Sequence, residues 1–393
     1  MKNRIKSLAR EFAPAFIDIR HHIHSHPELS FQEYATSKFI QQKLDEFGVR
    51  YQANVAGTGI VALVEGKNPS KRTVAIRADI DALPIIEANN VPYKSKNEGV
   101  MHACGHDVHT TCVLGATKIL QQVKEEFEGT VKVLFQPGEE KHPGGASLMI
   151  KDGALENPRP QAILGLHVLP NMETGLLGFR SGKYMASADE IYITIKGKGG
   201  HAAAPHLTVD TILVASHLVV SLQQIVSRNN DPFSPSVLSI CAFNGGHTTN
   251  VIPSEVKLMG TFRAMDETWR FKAHDLIKKL ATELAHAMGA DIDIDILVGY
   301  PTLYNNEEVT TQARSLAEAY MGKEQVIDTE VRMGAEDFAF YSQIVPACFF
   351  RLGTGNKARG ITSGVHTPTF DIDENAIEIG MGAMAYLAAT LAV

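Results

Sequence analysis

Apolar positions recur at helical spacing over residues 2–24 and again over about 31–47, with a break at His26-Pro27 and a stop at Gly48. Short apolar runs at 73–77, 131–135 and 162–168 read as buried strands. Between them, Val108, Cys112, Leu114, Ile119, Val123 and Phe127 form the apolar side of a helix over 107–127. Strands separated by helices predict parallel pairing in a layered α/β sheet. From about Met185 the pattern changes to a strand at 189–196, a helix at 208–227, strands at 236–244 and 255–264, a helix at 266–289 and a strand at 291–298. That β-α-β-β-α-β order is the ferredoxin-like plan. An inserted domain is therefore expected at 184–297, with the first domain occupying 1–183 and resuming over 298–393. The apolar run at 347–352 reads as a buried strand of the returning segment.

Composition agrees with this division. A chain of 393 residues exceeds the size at which one core keeps growing, and 44% apolar with 21% charged residues gives enough to fill two. The balance of 44 acidic against 37 basic residues, a net charge of −7, argues against a nucleic-acid partner. No signal-peptide core and no membrane-length apolar run is found, so the expected address is the cytoplasm. The four cysteines do not resemble a disulfide scaffold and are expected to be reduced. Sixteen histidines, many beside Gly, Pro or acidic residues, hint at metal.

The candidate chemistry starts at Met101-His-Ala-Cys-Gly-His-Asp-Val-His109, where Cys104 and His106 flank a glycine just ahead of a helix. Thiolate and imidazole together suit zinc and its neighbours. A buried thiol beside helix-capping groups is the other reading. Glu139 and Glu140, in Gln136-Pro-Gly-Glu-Glu140, follow a strand at the end where open α/β sheets build their sites. Two adjacent carboxylates repel by only about 1 kcal/mol in water at about 4 Å, and several times more when partly buried, which a cation would relieve. In isolation such a pair is as readily a solvated loop. His167 ends another strand and His366 sits in the loop Gly364-Val-His-Thr-Pro368. Asp79 and Asp81 follow the 73–77 strand and could ligate a metal or orient a ligand.

At these residues the sequence resembles the metal-dependent amidohydrolases that include hippurate hydrolase, bacterial aminoacylases and the plant auxin-conjugate hydrolases. The resemblance spans nearly the whole chain: His26-Pro-Glu28, DIDALP at 79–84, HACGHD at 102–107, PGEE at 137–140 and GKGGHAAAPH at 197–206, then Gly245-Gly246, Asn250-Val-Ile-Pro253, Gly334-Ala-Glu-Asp-Phe338 and VHTPTFDIDE at 365–374. It implies a zinc-peptidase-like layered α/β catalytic domain with the insert as a lid and dimerisation domain. It implies two divalent metal ions per subunit, zinc or manganese with nickel or cobalt as alternatives, held by Cys104, His106, Glu140, His167 and His366. Glu139 would be the general base, and His201, Asn250 and Glu336 would meet the substrate. A homodimer or higher homo-oligomer is implied, with the insert's histidine reaching the partner's site. The broader superfamily carries His-x-Asp where this chain has Asp79-Ile-Asp81, and an aspartate in place of Cys104.

The chemistry expected from such a site is hydrolysis of the amide bond of an N-acyl amino acid by activated water, giving a carboxylic acid and a free amino acid. Gly245-Gly246, Asn250 and Arg263 are expected to bind a substrate carboxylate. A metallo-carboxypeptidase or dipeptidase would use the same parts. A reading of another class is a non-catalytic metal-binding or redox-sensing protein using Cys104, which would need no general base. The cluster His21, His22, His24 and His26 looks like a metal tract by composition, but the first three fall at a helix end, where imidazoles favour the dipole. The glycines at 197–200 lack the lysine and spacing of a phosphate-binding loop.

Overall fold

The computed structural model describes residues 1–391. The described residues divide into two compact units, one comprising 1–182, 304–330 and 337–391, the other 183–303 and 331–336. The second unit therefore runs a few residues past 297 and also takes in the short stretch 331–336. Among the described residues, no helix is long and apolar enough to cross a membrane. All four cysteines are free thiols.

The first unit is built on a sheet of eight strands in the order Arg50–Val55, Gly59–Glu65, Thr130–Gln136, Thr73–Asp79, Ala162–Glu173, Ala347–Gly355, Leu177–Phe179, Val326–Asp328. Its four central strands are parallel, as alternation with helices predicts. The sheet as a whole is mixed, because Arg50–Val55 and Gly59–Glu65 form an antiparallel hairpin that joins Thr130–Gln136 antiparallel, and Leu177–Phe179 is antiparallel to Ala347–Gly355. Thr73–Asp79 and Thr130–Gln136 are buried at every position, as strands covered on both faces must be. The helices Lys2–Ser25, His106–Gln122 and Asn375–Thr390 pack on one another and enclose one continuous core with the sheet.

Several elements begin or end away from the positions that periodicity predicts, each for a local reason. The second helix begins at Tyr34, not 31, because Phe31 takes a left-handed φ of 65° and donates its N–H to the Glu33 carboxylate at 2.8 Å. Gly48, also left-handed, ends it and returns its N–H to the last helical carbonyls. The helix read over 107–127 stops at Gln122 and is followed by a single 3₁₀ turn, Lys124–Glu126. Asp210 and Asp266 each accept a hydrogen bond from the third residue of the helix they precede, which fixes starts at Thr211 and Glu267. The helices Glu307–Met321 and Asn375–Thr390 had no counterpart in the sequence reading.

The second unit carries a four-stranded antiparallel sheet in the order Ser236–Asn244, Glu255–Ala264, Asp189–Lys196, Asp291–Val298. Asp189–Lys196 alternates buried and exposed residues, the signature of a sheet covered on one face. The helices Thr211–Gln224 and Glu267–Ala287 supply that cover, and Ile191, Ile193, Ile195, Leu218 and Ile277 belong to a core separate from the first. The β-α-β-β-α-β order with this strand arrangement is ferredoxin-like.

Candidate metal centre

The central strands of the first unit deliver their carboxyl ends side by side. Thr130–Gln136 leads into Glu139 and Glu140, Thr73–Asp79 leads into Asp81, and Ala162–Glu173 carries His167. Open parallel sheets place their sites at such ends. Two glycines make the loops fit. Gly105, at φ 85°, sits between Cys104 and His106, and a Cβ there would meet Val168 Cγ2 at 2.6 Å. Gly138, at φ 57°, lies against the Phe31 ring, where a Cβ would approach to 2.3 Å. Only a residue without a side chain turns the backbone in both places.

All five expected ligands converge. Donor atoms of Cys104, His106 and His167 lie within 4.8 Å of one another, as do those of Cys104, Glu140 and His366 and those of His106, Glu139 and Glu140. Cys104 Sγ is 3.5 Å from His167 Nε2, and Glu140 Oε1 is 3.3 Å from His366 Nε2. Sulfur, nitrogen and oxygen donors that share one tetrahedral zinc at about 2.0–2.3 Å stand roughly 3.3–3.6 Å apart, so both separations suit a shared ion. His106 Nε2 and Glu140 Oε1 are buried without a well-formed hydrogen bond, which for groups this polar calls for a partner. The donor set of thiol, imidazoles and carboxylate fits a divalent metal.

Neighbouring groups fix which nitrogen of each ring faces the cluster. His106 Nδ1 donates to the Asp81 carbonyl at 2.9 Å and reaches Asp81 Oδ1 at 3.1 Å, leaving Nε2 to point inward. Asp81 is held in turn by the Ser30 hydroxyl and the Glu140 N–H, at 2.6 and 3.0 Å. His167 Nδ1 donates to the Val168 carbonyl at 2.7 Å, so its Nε2 faces Cys104. His366 has a left-handed φ of 62°, and its N–H is tied to the Ala103 carbonyl at 2.7 Å.

Asp79, which the sequence left between ligand and support, has both oxygens engaged. Arg77 Nη1 donates to Oδ2 at 2.6 Å and His109 Nδ1 to Oδ1 at 2.7 Å. His109 Nε2 then accepts the Val168 N–H at 2.9 Å, which anchors the strand beside His167; that strand runs on to Glu173, so His167 lies within it and not at its end as the apolar run predicts. The buried Arg77 also donates to Asp337 and Gln136, and Asp337 accepts the Ala146 N–H, so the Pro137–Glu140 turn is gripped from below. The sequence reading did not single out Arg77, His109 or Asp337. For Arg77 the available signal was its place at the end of a run that reads as a buried strand, two residues before an aspartate; His109 and Asp337 offered none.

The electrostatics favour a cation. Burial alone would strip a proton from His106, but Asp79, Asp81 and Glu140 push its pKa up to about 10, and the same field would hold a metal ion at Nε2. Burial, with Glu140, Glu139 and Asp79 nearby, drives the Cys104 thiol well up, so a thiolate needs a positive partner. A metal ion bound at sulfur displaces that proton outright. Burial and the Arg351 charge keep His167 neutral, the ligating form. Glu139 is buried beside the cluster, with Oε1 3.4 Å from the Asp337 N–H.

In the second unit, His201 and Asn250 come together on a small two-stranded ribbon. His201 pairs with Val251, and Ala202 donates its N–H to the Asn250 carbonyl at 3.0 Å. Beside it is a cleft of about 740 Å³ lined by Gly199, Gly200, Gly245, Gly246, Thr248 and Lys257. Arg263 does not join this group. It lies near the far end of Glu255–Ala264, about 26 Å along the strand from Glu255 at ~3.3 Å per residue, where its Nε donates to the Thr261 hydroxyl. Glu336 is buried within the stretch 331–336.

Comparison with known proteins agrees with this picture. The profile of Peptidase family M20/M25/M40 matches residues 75–390. The chain is 39% identical over 361 residues to a Bacillus subtilis N-acetyl-L-cysteine deacetylase, covering 92% of this chain and 84% of that one. It is 36% identical over 388 residues to thermostable carboxypeptidase 2 of Saccharolobus solfataricus, covering 98% and 97%. A solved Bacillus subtilis structure described as a dinuclear metal binding peptidase of the M20 family superposes with a TM-score of 0.84 at 34% identity, covering 97% of this chain and 98% of that one. The chain belongs to the M20/M25/M40 peptidase family, and it is a metal-dependent hydrolase of amide bonds.

Proposed function

We propose that the protein hydrolyses N-acyl amino acids to a carboxylic acid and a free amino acid. Cys104, His106, Glu140, His167 and His366 hold two divalent ions, zinc or manganese, and Glu139 is the general base. The observation that carries this reading is the convergence of those five donors, with Glu139 beside His106 and Glu140, near the carboxyl ends of parallel strands. Bound there, two cations would polarise an amide carbonyl and lower the pKa of water from 15.7 toward about 7, roughly 12 kcal/mol of help. Glu139 accepts a proton from water as its oxygen bonds to the carbonyl carbon. The protonated Glu139 then gives that proton to the amide nitrogen as the carbon–nitrogen bond breaks. Asp79 and Asp81 serve as supports that orient imidazoles, not as ligands, since Asp79 is occupied by Arg77 and His109.

His201 and Asn250, exposed on their ribbon beside the glycine-lined cleft, are assigned to the substrate's free α-carboxylate and developing oxyanion. Glu336 belongs with the substrate contacts, while Arg263 is left out because of its distance along the strand. The enzyme is taken to act in the cytoplasm as a homodimer joined through the inserted domain. The similarity to an N-acetyl-L-cysteine deacetylase favours an acyl substrate, and that to a carboxypeptidase keeps a peptide substrate as the second reading.

A panel of N-acetyl and N-benzoyl amino acids, dipeptides and their methyl esters, assayed with zinc, manganese, cobalt or nickel, separates the two. The proposal expects acyl amino acids to turn over fastest and esterification of the α-carboxyl to cost most of the rate. Dipeptides turned over faster than every acyl amino acid would favour the carboxypeptidase reading. Equal rates on ester and acid would remove the carboxylate contact.

A further inference from the structure

The histidine-rich end of the first helix has a role that composition did not suggest. Its centre is Arg20, whose side chain is completely buried. Arg20 Nε donates to Asp107 Oδ2 at 2.8 Å, and Nη2 donates to Asp371 Oδ1 at 2.9 Å. The guanidinium carbon lies 4.6 Å from the centre of the Tyr93 ring, and the Tyr93 hydroxyl donates to Asp371 Oδ2 at 2.9 Å. His24 completes the cluster, reaching Asp107 Oδ2 at 2.8 Å and Glu87 Oε1 at 3.2 Å.

The two carboxylates hydrogen-bonded to Arg20 belong to the two halves of the proposed metal centre, and a third, Glu374, stands 3.7 Å from Nη1. Asp107 directly follows His106 at the start of its helix, and Asp371 lies in the same loop as His366. That loop has no regular secondary structure between Ile361 and Asn375, and it presents His366 half-exposed with a left-handed φ of 62°. A ligand on such a segment needs external fixing. Arg20, with the Ala88 N–H to the Pro368 carbonyl and the Asn89 amide to the Phe370 carbonyl, supplies it. The Arg20–Asp107 pair is fully buried and the Arg20–Asp371 pair partly so; a buried ion pair adds little net stability over an apolar replacement of the same shape, so the contribution here is geometric. The planar guanidinium sets the direction as well as the distance of both partners.

We propose that Arg20 is a positioning residue of the metal centre: a strut from the first helix that fixes the His366 loop against the helix bearing His106. The inference rests on His106 and His366 being ligands. Arg20→Lys keeps the charge and loses the fork, and Asp371→Asn keeps the loop residue's shape while removing its charge.

The test is zinc titration of the chelator-stripped full-length chain against a chromophoric competitor, with the melting temperature of the metal-free chain recorded alongside. Wild type is expected to bind two ions. In both variants one ion, the one sharing His366, is expected to bind at least ten-fold more weakly, as loss of an orienting partner costs about 10- to 100-fold in metal affinity. In Asp371→Asn the other ion should stay within about three-fold and the metal-free melting temperature should change by only a few degrees, whereas Arg20→Lys, which also releases Asp107 beside His106, should weaken both ions, the one sharing His366 more. Affinities within two-fold of wild type for both ions in a folded Asp371→Asn chain would overturn the strut. Equal weakening of both ions together with a large fall in melting temperature would also overturn it, as general loosening. Should Arg20→Lys fail to fold, Asp371→Asn decides alone. A wild-type chain that takes up no zinc would reject the ligand assignment, and with it this inference.

Discussion

A metal site is as good as the groups that aim its ligands. Asp81 touches no candidate ion position directly, yet it sets His106 by accepting from Nδ1 and sets Glu140 by accepting from its N–H. Asp81→Asn keeps the shape and exchanges an acceptor for an amide that can present a donor to the same nitrogen. The expected result is a 10- to 100-fold loss in metal affinity, read by competition with a chelator, with circular dichroism unchanged. Unaltered affinity would mean that His106 is positioned by the backbone carbonyl alone. The proposed ligands could be picked out of the sequence because thiol, imidazole and carboxylate sit in ordered motifs, and the structure brings their donor atoms together. Arg77, His109 and Asp337 could not be, because a charge that works by pairing in the interior looks in sequence like any exposed charge.

Elements carry the site through a few backbone positions. Gly105 lets Cys104 and His106 face the same cluster across the start of a helix, and neither its φ nor the 2.6 Å approach to Val168 tolerates a Cβ. Gly105→Ala is expected to destabilise the chain by about 1–3 kcal/mol and to weaken metal uptake, measured by urea melting with and without zinc. A stability within experimental error of wild type would contradict that reading of the turn. The first helix contributes a pH-dependent part. Burial and Arg20 oppose a proton on His24, but Asp107 and Glu87 outweigh them and raise its pKa. A raised value stabilises the fold fully below the unfolded pKa of about 6.5, and this support is lost as pH rises through the folded value. The melting-temperature gap between wild type and His24→Gln should therefore narrow between pH 6 and pH 9; a gap that widens would contradict it. At this scale the strands and the inserted β-α-β-β-α-β order could be read from periodicity. The hairpin Arg50–Val55 and Gly59–Glu65 could not, since its outer strand alternates only weakly between exposed and half-buried positions. Asn375–Thr390 also escaped notice, because a helix apolar on nearly every side shows little period.

For the whole molecule, two cores imply two cooperative transitions, and the five proposed ligands all lie in the first unit. Chelation is expected to lower one calorimetric transition and leave the other in place. Saturation at 100 to 1,000 times the dissociation constant stabilises by about 3–4 kcal/mol, so the shift should be several degrees. Both transitions falling together would mean that the units unfold as one. The central claim, that Glu139 moves the proton while Glu140 and its partners hold the metal, is tested most directly by Glu139→Gln with turnover and bound metal measured on the same sample. Both ions retained, with kcat down by about a hundred- to ten-thousand-fold, is the result the account requires. Turnover within a few-fold of wild type at full metal content would contradict it.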